Sequence, residues 1–270
     1  MQILPSPALA HIVKHFLIIE NDQIAHVNLR MFSDGNTGMV FNFGNMLLIY
    51  EDDSKSSKIL PSSFIYGQLD TFQNIISVGK IKMLIVVFHP FGISALLKIP
   101  AVELRNEILD IETFYASESQ IFTDQIFNSS AIFSKIQILE DFLINKLSEN
   151  HHKDQLPFRA INLIHQQNGN LSVSQLISNL QVSERKLQRT FEEHIGLSPK
   201  RYSGVTRVQY FLKLLRKNPT TSQTKLVYDA GFFDQAHLIR EMKNISGFTP
   251  SQYRSQPNLL AANFLQIPQK

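Results

Sequence analysis

A stretch of this chain, from about Val173 to Arg254, repeats itself. Shifted by 51 positions, Leu187 falls on Leu238, Arg189 on Arg240, Phe191 on Met242 and Gly196 on Gly247. Ser198-Pro199 falls on Thr249-Pro250, and Tyr202 on Tyr253. A fixed offset shared by so many positions of like character means that one small unit occurs twice.

Each copy has the pattern of a helix-turn-helix. In the first, Val173, Leu176, Ile177 and Leu180 give a helix one apolar face, and Ser172 or Ser174 can cap it. Ser183 then caps a second helix, Glu184 to Ile195, on which Leu187 and Phe191 point inward. Gly196 closes that helix and Pro199 blocks simple continuation. In the second copy a helix through Leu226, Val227 and Ala230 ends at Gly231. Asp234 caps the next helix, Gln235 to about Ser246, with Leu238 and Met242 inside and Gly247 and Pro250 at its end.

The outward residues of the two second helices suit a DNA major groove, since Arg matches the paired acceptors of guanine and Gln matches adenine. Arg185, Gln188 and Arg189 are the base-reading candidates of the first, and Gln235, His237 and Arg240 those of the second. Lys186, Lys200, Arg201 and Lys243 are candidates for phosphates, which position a protein without reading sequence. Any one of these taken alone is an ordinary solvated side chain. Arg at equivalent positions of two copies favours DNA.

The motif L-x-x-x-F-x-x-x-x-G-x-S-P-x-x-Y, with a second copy ending G-F-T-P-S-Q-Y-R, resembles the AraC/XylS family of bacterial transcription regulators. The span G-F-F-D-Q-A-H-L-I-R-E-M is similar to that family's second recognition helix. Leu238 and Met242 stand where the family usually has Phe, a change of packing rather than of the DNA-facing side. The resemblance covers roughly Pro157 to Gln256 and implies a double helix-turn-helix that binds double-stranded DNA. It also implies a cupin-like sensory domain ahead of it. The segment from Ser33 to Gly44, with V-V-F-H-P-F-G-I-S-A-L-L, resembles a subgroup with an uncharacterised N-terminal domain, which commonly has Arg where His89 stands.

Charge divides the chain the same way. Residues 157–270 hold 15 Lys and Arg against 6 Asp and Glu, whereas residues 1–156 hold 11 against 17. A basic half is the footprint of a polyanion partner, and an acidic half should not bind DNA itself. The chain has no cysteine, which excludes disulfides, Cys metal sites and cysteine-based DNA-repair chemistry. No signal-peptide layout and no membrane-length apolar run is seen, so a cytoplasmic protein is expected.

The expected architecture is α+β: residues 1–150 a sensory or dimerisation domain, 151–156 a linker, 157–256 the DNA-binding domain and 257–270 a tail. Strands are expected at His15–Ile19, Ala25–Arg30, Met39–Phe43, Met46–Tyr50, Phe64–Gly67 and Met83–His89, with turns at Ser33–Asn36 and Gly44-Asn45 and a loop from Asp52 to Ser57. This is the pattern of a small antiparallel barrel. Phe41, Phe43, Phe64 and Phe88 could line its mouth around a small-molecule effector. Short helices follow at Phe91–Leu97, from Val102 and at Ala116–Phe127.

No H-x-H pair, nucleophile elbow, phosphate loop or carboxylate pair is present, so no metal, cofactor or catalytic residue is expected. His11 and His15 would share a helix face but sit among Ile12, Val13, Phe16 and Leu17, a structural setting, and His151-His152 falls in the linker. Ser130 to Glu149 carries a stripe of Ile132, Ile136, Leu139, Leu143 and Leu147. The stripe either packs on the barrel or forms a coiled-coil seam with a second chain, and the homodimer is the preferred expectation.

In the basic half Phe158–Gln167 opens the domain. Pro199 to about Lys217 reads as one helix joining the two units, weakened by roughly 1 kcal/mol at Gly204. At 1.5 Å per residue that connector spans about 28 Å, close to the roughly 34 Å turn of B-DNA. One chain could then read two successive grooves. RNA polymerase is a further expected partner. The competing classes are an enzyme targeted to DNA and a protein-binding repeat; the absent catalytic motifs weigh against the first and the charge split against the second.

Overall fold

The apolar runs Met39–Phe43 and Met83–His89 are too dense for strands with one face in water; such runs belong to strands covered on both sides. The structure is a computed structural model that describes residues 1–22, 26–50, 57–148, 155–256, 259–261 and 263–267. In it these runs become β4 (Thr37–Asn42) and β9 (Ile81–Phe88), paired antiparallel with Val40 opposite Ile85. They are the centre of a six-stranded sheet ordered β1 (Gln2–Ile3), β2 (Val13–Asn21), β9, β4, β7 (Ser63–Tyr66) and β10 (Ile108–Asp110). A second sheet is ordered β11 (Leu259–Ala261), β12 (Phe264–Ile267), β3 (Val27–Met31), β8 (Gln73–Ser77), β5 (Leu47–Tyr50) and β6 (Ser57–Ile59).

Strand alternation sorts the core. Val40, Ile85 and Val87 face the second sheet. Met39, Phe41, Leu84, Val86 and Phe88 face three helices, α1 (Gly92–Leu97), α2 (Glu112–Asn128) and α3 (Ile132–Ser148). The α+β class is as expected, but the barrel does not close: the strands form two six-stranded sheets whose edges do not pair with each other, and helices cover the outer face of the first. Of the four Phe expected at a barrel mouth, only Phe64 looks into the space between the sheets. Phe41 and Phe88 lie under the helices, and Phe43 packs on Phe127. His15 stands on β2, not on a helix with His11. The expected linker and His151-His152 lie largely or wholly outside the described residues.

The coiled-coil seam is also corrected. Ile136, Leu139 and Leu143 are buried against the chain's own first sheet, and Ile132 and Leu147 pack beside them, so the stripe is already covered. Lys135 is buried too, its ammonium donating to the Ile126 carbonyl at the end of α2 and lying over the Phe43 ring.

The C-terminal half comprises α4 (Leu156–Gln166), α5 (Val173–Leu180), α6 (Glu184–His194), α7 (Pro199–Lys217), α8 (Gln223–Asp229), α9 (Gln235–Ser246) and α10 (Pro250–Arg254). Their core includes two intruders from elsewhere, Phe32 and Leu265. The segment expected to be a tail supplies β11 and β12; β12 returns to pair with β3, and β11 pairs with β12 at the sheet edge. Burying a side chain the size of Phe32 contributes about 1.5–3 kcal/mol, so this crossing holds the two halves together.

Candidate nucleic-acid interface

The two copies begin their second helices with the same device. Ser183 has extended backbone geometry and its hydroxyl accepts from the Lys186 amide at 3.2 Å; Asp234 does the same for the His237 amide at 2.6 Å. Ser198 and Thr249, the second caps of each copy, accept from the Arg201 and Gln252 amides, both at 3.2 Å. Each such cap contributes roughly 0.5–2 kcal/mol and sets where the first helical turn starts.

Packing then sets the rotation. Leu187 and Phe191 of α6 and Leu238 and Met242 of α9 are wholly buried. The opposite face is therefore in solvent, and Arg185, Lys186 and Arg189 of α6 and Gln235, Arg240 and Lys243 of α9 are exposed on it. Gln188 is half-buried and donates to Glu192 at 3.0 Å, while Gln235 donates to the Thr224 hydroxyl at 2.6 Å. Arg240 lies back along its helix towards the Ala236 carbonyl. Lys200 is exposed at the start of α7.

Two candidates are placed differently. His237 lies 3.4 Å from Glu241 and edge-on to Phe232. Glu241 also meets Arg207 of α7 at 3.7 Å, and that guanidinium covers the Phe232 ring. Arg201 turns away from the exposed basic face: it faces the Asp70 carboxylate at 3.9 Å and donates to the Asp70 carbonyl. Nothing within a few residues of Arg201 announces that contact, because Asp70 is 131 positions away.

The N-terminal half grips the same point of each copy. Gly196 and Gly247 end α6 and α9 with φ of +85° and +71°, a left-handed conformation that favours glycine. Gly196 lies on the Ala101 carbonyl, and Gly247 on the Phe72 ring. Arg30 sits between the Phe72 and Phe248 rings, 4.0 and 4.8 Å from their centres, and donates to the Gly247 carbonyl. Ser94 of α1 donates to the His194 carbonyl at 3.0 Å. Tyr202 packs against Gly35, and its hydroxyl meets His165 at 2.9 Å. Burial, then the nearby Lys14 and His89, push the His165 pKa down to about 4. The Tyr202 hydroxyl is raised well above its usual range by burial.

Between the sheets lies a cavity of about 360 Å³. Its walls are apolar, with Leu17, Val40, Leu47, Phe64 and Met83 among them, and Lys14, His15, Asp34, Gln209 and Asn263 supply polar groups. Gln209 comes from α7 and Asn263 from the returning C-terminal segment, so both halves line it.

Residues 176–256 match the model of a helix-turn-helix domain, and residues 1–110 match a domain of unknown function, DUF6597. These matches support the resemblance of the chain to the AraC/XylS family. Over 99 residues, 37% of this chain and 33% of the relative, it is 29% identical to an uncharacterized HTH-type transcriptional regulator of Haemophilus influenzae. Over 78 residues, 28% of this chain, it is 38% identical to the F1 operon positive regulatory protein of Yersinia pestis, covering 25% of that protein. The aligned part thus spans a third or less of these two relatives' length. A crystal structure of ToxT from Vibrio cholerae, bound to (E)-4-(8-methylnaphthalen-1-yl)but-3-enoic acid, shares the fold. The TM-score is 0.50 at 12% identity, over 88% of this chain and 97% of that one. Among the described residues no helix is long and apolar enough to cross a membrane.

Proposed function

We propose that the protein is a cytoplasmic, sequence-specific DNA-binding transcription regulator and not an enzyme. The observation that carries this reading is the doubled unit: two capped helices, α6 and α9, each with a basic face in solvent and an apolar face locked in one core. Arg185, Gln188 and Arg189, with Gln235 and Arg240, read bases. Lys186, Lys200 and Lys243 hold phosphates. The rigid α7, 19 residues long, spaces the two readers for successive major grooves. Residues 1–150 form the sensing domain and 157–256 the reading domain, with Gln209 of the second and the returning β12 joining the first at the cavity.

The N-terminal half senses a small effector. The mainly apolar cavity with convergent polar groups supports this, as does the ligand held by the similarly folded ToxT. RNA polymerase is the partner of the DNA-bound state.

Selection from random duplex DNA near physiological salt, followed by a salt titration on the winner, tests the reading. A two-part motif with centres about one helical turn apart is expected, with affinity falling steeply as salt rises. No enrichment, or affinity indifferent to salt, would sink it.

A further inference from the structure

The C-terminal strand touches two cores at once. In β12, Phe264 faces the cavity and the sheet core, and the next residue, Leu265, is fully buried in the helical core of the DNA-binding half. The strand beside it does the same thing. Met31 of β3 lines the cavity, and the following Phe32 lies in the helical core, edge-on to Tyr253 of the second copy. The two pairs are tied to each other. Phe264 opposes Met31 in register, and the Phe32 amide donates to the Asn263 carbonyl at 3.0 Å. The Asn263 side chain donates back to the Phe32 carbonyl at 3.0 Å and also lines the cavity. Leu265 opposes Arg30, the residue that grips the end of α9.

We propose that β12 is a relay strand. A small amphipathic molecule, with an apolar body between the sheets and a polar head at Lys14, Gln209 and Asn263, shifts the Phe264–Met31 wall. β12 slides against β3, and the adjacent Leu265 carries the shift past Phe32 into the packing of α9 and α10. Successive side chains of a strand point to opposite faces, so a displacement on one face is delivered to the other with no intervening part. This deepens the effector-sensing role proposed above and rests on it.

The chain has neither cysteine nor tryptophan, which makes a clean test available. Asn28 and Ile267 are opposed on β3 and β12. Opposed residues of an antiparallel pair lie about 4.5–5.5 Å apart at Cα, within disulfide range. The full chain carrying Asn28→Cys and Ile267→Cys is studied oxidised and then reduced. Phe64→Trp adds a single fluorescence donor on the cavity wall, and 8-anilinonaphthalene-1-sulfonate is the amphipathic probe. Energy transfer places the probe, and amide hydrogen exchange in α9 and α10 reads the relay.

With β12 free, the probe is expected to change exchange there about fivefold; with β12 locked, the response should vanish while the probe still binds. An equal response in both states overturns the relay, and so does a probe that never enters the cavity. If the disulfide variant does not fold, Leu265→Ala breaks the helical end alone, and an unchanged response in it also overturns the relay. If no DNA is selected but exchange follows the disulfide, the DNA reading falls and the relay stands.

Discussion

The two copies share caps, buried leucines and terminal glycines, yet they are fastened differently. The first is closed mainly by rigid backbone, with Gly196 lying on the Ala101 carbonyl, and by one short side chain, the Ser94 hydroxyl of α1, which donates to the His194 carbonyl. The second is closed by side chains, with Arg30 stacked between Phe72 and Phe248. The first copy leaves the basic residues of α6 in solvent, whereas the second withdraws His237 towards Glu241 and Phe232. Similar patterns therefore give unequal helices: His237, Glu241 and Phe232 stand where the first copy has Lys186, Thr190 and Gln181, and each copy docks against a different part of the N-terminal half.

The largest contrast is expected at the glycines. A Cβ at Gly196 would lie 2.6 Å from the Ala101 carbonyl oxygen, which cannot move without the chain. A Cβ at Gly247 would meet the Phe72 ring edge at 2.6 Å and the tip of Arg30, which can turn aside. Gly196→Ala should destabilise by about 3–4 kcal/mol and Gly247→Ala by about 1–2 kcal/mol, read from urea midpoints. Equal losses would mean that the second copy is clamped as rigidly as the first.

The buried tyrosines sharpen the contrast with pH. Tyr202 of the first copy is bonded to His165, whereas Tyr253 of the second packs on Phe32. His165 titrates near 4 when folded, below its value of 6.5 when unfolded, so the unfolded chain binds the proton first. Its full stability is present above pH 6.5 and is lost as pH falls to about 4, at most about 3 kcal/mol. His165→Gln should flatten the urea midpoint over that window; an unaltered slope would assign the acid sensitivity elsewhere.

On DNA, Arg189→Ala should cost about 1–3 kcal/mol and relax preference at one base position, while His237→Ala should cost under about 1 kcal/mol and leave the profile intact. A sequence-profile change in the His237 variant would show that the histidine leaves Glu241 on binding. The smallest effect concerns the pair at the start of α7. Lys200→Ala should lower the salt slope by roughly one, and Arg201→Ala by nothing resolvable, because Arg201 is held at Asp70.

The C-terminal half was legible from its own residues. Caps, apolar spacing and glycine ends act within one or two turns, and α5, α6, α7 and α9 lie where the pattern puts them. The central strands β4 and β9 were legible from apolar density. Gln73–Ser77 was not, since Gln73, Asn74 and Ser77 flank a pair of isoleucines too short to announce a strand; pairing with β3 and β5 makes it one. The stripe on α3 was read correctly as apolar but given the wrong partner, because a stripe states that it must be covered and not by what.

What this chain determined by sequence alone is its doubled helix-turn-helix unit and its division into an acidic and a basic half, for these depend on neighbours along the chain and on summed charge. Tertiary structure alone decided that Arg201 faces Asp70, that Phe32 and Leu265 belong to the helical core, and that residues 264–267 finish a sheet begun near the N-terminus. Those contacts join residues more than a hundred positions apart. Their energy comes from surfaces that exist only once both halves have folded, so no local pattern encodes them.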